Sequence, residues 1–155
     1  QKRYRRMWMD TRHEPGEVKA VAYDGNGRKR AEQIVRTAGK PYRIVLKADK
    51  DTLDADLRDE DLAFVTVSVV DREGNLCPAA QHTVKVSVRG AGYYKAGANG
   101  NPVCLEPFGR PQMPVFNGQM TAIVAEKGQA GTLRLKAEAK GLKSAELVLP
   151  VKRTE

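Results

Sequence analysis

The chain has 155 residues, and its 27 Lys and Arg against 19 Asp and Glu give a formal net charge of +8 at pH 7. Hydrophobic residues make up 41% of the sequence, which is enough to form a core and argues against an intrinsically disordered chain. The longest apolar runs contain four residues, far fewer than the roughly 20 of a transmembrane helix. The sequence therefore predicts a folded protein with no membrane span.

The first predicted element is a β-hairpin. Its strands are expected at 18–23 and 31–37, with the sequence Asp-Gly-Asn-Gly at 24–27 between them. Asn and Gly at such positions favour a tight turn between antiparallel strands. We predict a domain boundary at the Gly-Lys-Pro sequence of 39–41, because it interrupts the pattern. Residues 1–38 are too few for an independent sandwich, so we interpret them as the terminal strands of a preceding, incomplete β-sandwich domain.

Residues 39–155 follow a two-residue period. In one segment Val65, Val67 and Val69 fall on one face, and more polar residues alternate with them on the other. Strands are predicted at 42–48, 63–70, 83–89, 103–105, 119–126, 132–140 and 145–152, with a Gly-rich loop at 90–102 and at most a turn at 51–62. This half-buried alternation predicts an all-β fold, an immunoglobulin-like antiparallel β-sandwich occupying 39–155.

The positive charge is divided between the two parts of the chain. Residues 1–38 and 62–155 each carry a net charge of +5, and residues 39–61 carry −2. A nucleic-acid site would gather Lys and Arg on one face, but here they are scattered among alternating strand positions. We therefore interpret the charge as solvated surface and predict no nucleic-acid partner.

No recognisable catalytic or metal-binding motif is present. Cys77 and Cys104 lack the spacing of a zinc or redox site, and either a disulfide or two free thiols fits them. The acidic stretch at 49–61 lacks the Gly and Glu positions of an EF-hand loop. Nothing in the pattern brings two glutamates together, as glycoside hydrolysis requires. We predict no catalytic residue, metal site or cofactor in this chain.

The segment 90–102 contains the candidate carbohydrate-binding residues. Tyr93 and Tyr94 offer aromatic faces for stacking, and Asn99 and Asn101 offer amides for sugar hydroxyl groups. Trp8 is a further candidate for stacking on a sugar. The alternative is that Asn99 begins a tight turn, one tyrosine packs under the end of the sandwich and Trp8 anchors a core.

A series of motifs resembles the C-terminal region of bacterial glycoside hydrolase family 2 β-galactosidases. The segment 8–39 resembles the closing strands of the β-sandwich that follows their catalytic barrel. The later motifs resemble their final immunoglobulin-like module, which is also similar to the repeats of invasin-type adhesins. These motifs lie at 61–75, 86–92, 99–102, 116–118 and 141–145. The resemblance covers nearly the whole chain.

The resemblance implies a parent enzyme that hydrolyses terminal β-galactosides with retention, whose catalytic residues lie outside this chain. The expected function is a non-catalytic accessory or structural module. The alternatives are a carbohydrate-binding module and a cell-surface adhesion repeat. Expected partners are upstream domains of the same polypeptide, a glycan, and a second copy through residues 1–38. The resemblance implies a periplasmic or extracellular location, including the cell surface.

Overall fold

The computed structural model describes residues 12, 14–56 and 59–153, which form eleven β-strands and no α-helix. The all-β prediction is therefore confirmed, and the described ranges contain no helix long and apolar enough to cross a membrane. They divide into two compact units, one ending at Thr37 and the other beginning at Ala38. The strands are β1 (Glu17–Tyr23), β2 (Lys29–Arg36), β3 (Arg43–Ala48), β4 (Leu53–Asp54), β5 (Leu62–Val70), β6 (Thr83–Gly90), β7 (Gly92–Ala98), β8 (Gln112–Pro114), β9 (Gln119–Glu126), β10 (Gly131–Glu138) and β11 (Ala145–Lys152).

The first unit is a hairpin of β1 and β2, which pair antiparallel. Its turn is closed by Asp24, whose carboxylate accepts the backbone N–H groups of Asn26 and Arg28, both at 2.9 Å. Gly27 has a φ of +76°, a conformation that the absence of a side chain permits. The turn residues of the sequence therefore form the hairpin as predicted.

The two faces of the hairpin differ in chemistry. On one face Val18 lies opposite Val35, and these side chains are 66% and 62% exposed. The other face carries charged pairs such as Lys19 with Glu32, at 2.8 Å. A two-stranded hairpin with an exposed apolar face is only marginally stable in water.

The second unit is a sandwich of two sheets. One sheet has the strand order β4-β11-β10-β6-β8, and the other has the order β3-β5-β9-β7. Neighbouring strands pair antiparallel, except that β4 lies parallel to β11. The predicted antiparallel β-sandwich is therefore confirmed.

The core lies between the two sheets and follows the two-residue period. Val65, Val67 and Val69 of β5 are fully buried, as are Leu133 and Leu135 of β10. The residues between them on the same strands are half-buried or exposed. Burial of the alternate apolar positions is what fixes the register of these strands.

The chain crosses from one sheet to the other through two glycines. β6 ends at Gly90 in the five-stranded sheet, and β7 begins at Gly92 in the four-stranded sheet. Gly90 has a φ of +83°, and a Cβ atom there would overlap the carbonyl oxygen of Thr132. A Cβ atom at Gly92 would lie 2.6 Å from the carbonyl oxygen of Ala125. Both positions therefore require glycine for this close passage.

Two sequence-based predictions in this region are wrong. β7 occupies most of the predicted loop at 90–102, and the predicted strand at 103–105 is a turn and irregular chain. The glycines suggested a loop, but Gly97 lies within the strand. This position requires glycine because a Cβ atom there would overlap the hydroxyl group of Tyr94. The predictions also missed β4 and β8, which have only two and three residues and so show no period.

Candidate functional site

The two candidate tyrosines are successive residues of β7 and point to opposite faces of its sheet. Tyr94 packs against the core, and its hydroxyl group donates to the carbonyl oxygen of Arg110 at 2.9 Å. Burial raises the pKa of Tyr94. Tyr93 donates instead to the carboxylate of Glu60, which also pairs with Lys95. The structure therefore does not bring the two rings together.

The two candidate asparagines lie together in the turn after β7. Asn99 donates through Nδ2 to the carbonyl oxygen of Pro114 at 2.9 Å, and its Oδ1 accepts the backbone N–H of Asn101 at 3.0 Å. Asn101 accepts the N–H of Val103 at 3.2 Å. Both side chains thus stabilise the turn itself. Trp8 lies outside the described residues.

Exposed apolar side chains follow this turn. Val103, Leu105 and Phe108 are 78%, 95% and 67% exposed. The three residues lie within six positions of one another along the chain, and contiguous exposed apolar patches are typical of surfaces that contact another protein. The sequence analysis missed this feature because it assigned a strand to 103–105.

The buried carboxylates hold backbone groups. Asp71 is 1% exposed and accepts the N–H groups of Gly39 and Asn75, both at 2.8 Å. The hydrogen bond from Gly39, followed by those from the Asn75 side chain and backbone, lowers the pKa of Asp71 to about 2. Glu126, which is 6% exposed, accepts the N–H of Gly128. Both residues therefore have structural partners.

The acidic stretch at 49–61 also makes internal contacts. Asp61 pairs with Lys50 at 2.5 Å and accepts the N–H of Asp54 at 2.9 Å. Asp49 accepts the N–H of Phe64 at 2.8 Å. Within 14–56 and 59–153, no three His, Cys, Asp or Glu side chains are grouped as metal ligands would be.

Both cysteines are free thiols in the structure. Cys77 is 3% exposed, and burial, followed by the nearby charge of Asp71, raises its pKa. Cys104 is half-buried beside Asn99, with its sulfur 3.5 Å from the amide nitrogen. Of the two arrangements that the sequence left open, the structure therefore has the free thiols.

A cationic cluster surrounds Tyr42 at the start of the second unit. The Cζ atom of Arg72 lies 4.7 Å from the centre of the Tyr42 ring, and the Nζ atom of Lys143 lies 4.8 Å from it. These distances are typical of cation–π contacts. The side-chain hydrogen bond with Lys143 lowers the pKa of Tyr42, and the charges of Lys143, Arg72 and Arg43 lower it further.

The cluster borders an open cleft of about 310 Å³, lined by Lys40, Pro41, Tyr42, Asp71, Arg72 and Glu73. Sequence analysis missed this site because its members lie far apart along the chain. Arg72 follows β5, and Lys143 precedes β11. No local motif joins them; the only signal in the sequence is the excess of basic residues.

Comparison with known proteins relates nearly the whole chain to glycoside hydrolases. Residues 44–148 match the family described as glycoside hydrolase family 2 C-terminal domain 5. The chain is 41% identical over 134 residues to the β-galactosidase BoGH2A of Bacteroides ovatus, a match that covers 86% of this chain and 15% of BoGH2A.

Solved structures support the same relationship. A glycosyl hydrolase family 2 member from Bacteroides cellulosilyticus superposes with a TM-score of 0.83 and 27% identity, covering 92% of this chain and 18% of that protein. A β-glycosidase from Bacteroides vulgatus has the same fold, with a TM-score of 0.84 and 22% identity, covering 90% and 18%. The chain thus spans less than one fifth of the length of these relatives.

Proposed function

Because the chain belongs to the glycoside hydrolase family 2 C-terminal domain 5 family, we propose that it is a non-catalytic accessory module of a longer enzyme. The parent enzyme, like the relative BoGH2A, is proposed to hydrolyse β-galactosides, with its catalytic domain upstream in the same polypeptide. A periplasmic or extracellular location, including the cell surface, is part of the same proposal.

One observation carries this proposal: the family match extends over 44–148, which includes most of the sandwich, while the chain spans only 15% of BoGH2A. The hydrogen bonds of the buried carboxylates are consistent with a non-catalytic module. A retaining glycosidase needs two carboxyl groups about 5 Å apart across a substrate, whereas Asp71 and Glu126 are both engaged with backbone N–H groups.

The accessory role includes contact with the rest of the parent enzyme. The exposed side chains of Val103, Leu105 and Phe108 are the proposed contact surface. The relatives supply the rest of such an enzyme, since more than four fifths of their length lies outside the matched segment. The apolar face of the hairpin is proposed to pack within a sandwich completed by upstream sequence. The superposition with a longer family 2 enzyme covers 92% of this chain, more than the sandwich alone occupies, which supports a counterpart of the hairpin in such enzymes.

A segment exchange in BoGH2A tests the proposal. One variant lacks the segment that aligns with this chain, and another carries this chain in its place. We expect the deletion to lower the melting temperature, the exchange to restore it, and kcat/KM for an aryl β-galactoside to stay within about tenfold whenever the enzyme is folded.

The exchange is informative in both directions. A folded deletion variant with an unchanged melting temperature but a loss of kcat of more than about a thousandfold would show that the segment supplies a catalytic group. A deletion that changes neither the melting temperature nor the activity would contradict the proposal that the module stabilises the parent enzyme by contact.

A further inference from the structure

The cations beside Tyr42 lack acidic partners. Within the described ranges, Lys40, Arg43, Arg72 and Lys143 form no ion pair, although nine such pairs occur elsewhere in those ranges. Like charges that are held close together repel one another. The positive charge at this site is therefore not neutralised by a direct contact with a carboxylate.

Backbone hydrogen bonds fix the positions from which two of these side chains extend. Tyr42 donates its N–H to the carbonyl oxygen of Val70 at 2.9 Å. Lys143 donates its N–H to the carbonyl oxygen of Tyr42, and Ile44 donates to that of Lys143, both at 3.0 Å. Lys143 and Arg43 therefore extend from segments of backbone that are hydrogen-bonded to each other, although they are far apart in the sequence.

The turn that carries Arg72 is equally well fixed. Asp71 accepts the N–H of Asn75 at 2.8 Å with its carboxylate, and the Asp71 N–H donates to the Asn75 carbonyl oxygen at 3.0 Å. The guanidinium group of Arg43 lies beside Gly74 of this turn. A site assembled before the ligand arrives loses less entropy on binding.

The carboxylates at the cleft leave this charge available. Asp71 is buried and engaged with Gly39 and Asn75. Glu73 lines the cleft and has no ion pair among those of the described residues. Arginine and lysine N–H groups together form strong, charge-assisted hydrogen bonds with carboxylate and sulfate oxygens. The lining holds two cations, Lys40 and Arg72, and two carboxylates, Asp71 and Glu73. With Arg43 and Lys143 beside Tyr42, the charged groups of the site have an excess of two positive charges, which favours an oxyanion.

We propose that the Tyr42 cleft binds a sulfate or carboxylate group of an acidic glycan. Arg72 and Lys40, which line the cleft, contact the anion, and Lys143 adds positive charge beside the Tyr42 ring. A volume of about 310 Å³ is at the lower end of the range for ligand pockets, which suits one sugar unit with its charged group. The glycan as the carrier rests on the proposed function, whereas the anion site itself does not.

The test is an NMR titration of the ¹⁵N-labelled 155-residue chain at constant ionic strength. The probes are inorganic sulfate, a sulfated galacto-oligosaccharide and the same oligosaccharide without sulfate. We expect sulfate and the sulfated sugar to shift the amide signals of 39–43, 71–75 and 142–144. The uncharged sugar is expected to leave them unchanged.

Charge variants identify the contacting groups. Arg72→Gln and Lys40→Gln, which remove the two cations that line the cleft, should each weaken binding by about two- to fivefold, the range for exposed ion pairs. Arg134→Gln, which removes an exposed arginine of β10, is the matched control and should bind as the parent chain does. Melting curves show whether each variant is folded.

The outcomes separate the two parts of the proposal. Binding of sulfate without any gain from the sulfated sugar supports the anion site and overturns the glycan as its carrier. Equal shifts with the uncharged sugar overturn the role of charge. An equal loss in Arg134→Gln would indicate non-specific attraction and overturn the site, as would the absence of shifts in the three segments.

Discussion

Replacement of Gly90 by alanine tests the crossover between the two sheets. The residue has a φ of +83°, which costs an L-residue about 1–2 kcal/mol. The new Cβ atom would also overlap the Thr132 carbonyl oxygen, and such overpacking costs about 1–3 kcal/mol. We expect Gly90→Ala to lower the free energy of unfolding by about 2–5 kcal/mol.

The assay is thermal unfolding followed by circular dichroism. Since 1 kcal/mol corresponds to about 4 °C for a unit of this size, the melting temperature should fall by about 8–20 °C. Gly109→Ala is the control, because no atom lies within 4 Å of its added Cβ and its φ is outside the left-handed region. A Gly90→Ala melting temperature within about 2 °C of the parent chain would refute the proposed geometry of the crossover.

Three further measurements test the core, the Asp71 turn and the thiols. Leu135→Ala should destabilise the fold by about 2–5 kcal/mol in urea, and Val148→Ala, at a position that is 47% exposed, by less than about 1 kcal/mol; equal effects would contradict the assigned core. The pKa of Asp71 is about 2 in the folded protein against 3.8 for the free group, so the stability that its ionised carboxylate contributes is present above pH 3.8 and lost as the pH falls through 2. In Asp71→Asn, the free energy of unfolding should lack this part of the dependence on acid pH. A dependence on pH equal to that of the parent chain would contradict the role of Asp71. A thiol reagent should modify Cys104 in the native protein and Cys77 only after unfolding, whereas simultaneous modification would contradict the burial of Cys77.

The period-two pattern was sufficient to predict most of the sandwich. Valines at alternate positions of β5 indicated its buried face, and the structure places Val65, Val67 and Val69 in the core. The strand β7 was hidden because glycine is usually depleted in strands. A Cβ atom at Gly97 would overlap the Tyr94 hydroxyl group and lie 3.3 Å from atoms of Met120 and Thr121 in β9. A hydrophobicity pattern does not contain these contacts.

The site was harder to predict than the fold. Residue type identified Tyr93 and Tyr94 as candidates. Because β7 was not predicted, the sequence did not show that these two neighbouring residues point to opposite faces of a sheet. The Tyr42 cluster depends on contacts between the residue before β3, the turn after β5 and the segment before β11. Such contacts become visible only when the sheets are assembled, because the cations are brought together by the fold.

Hydrolysis of an aryl β-galactoside by the purified 155-residue chain tests the central claim most directly. The protein should be produced in a host that lacks β-galactosidase, and a full-length family 2 enzyme serves as the positive control. A non-catalytic module predicts a rate equal to that of the buffer blank at every protein concentration. Turnover that rises in proportion to the concentration of the folded chain would contradict it.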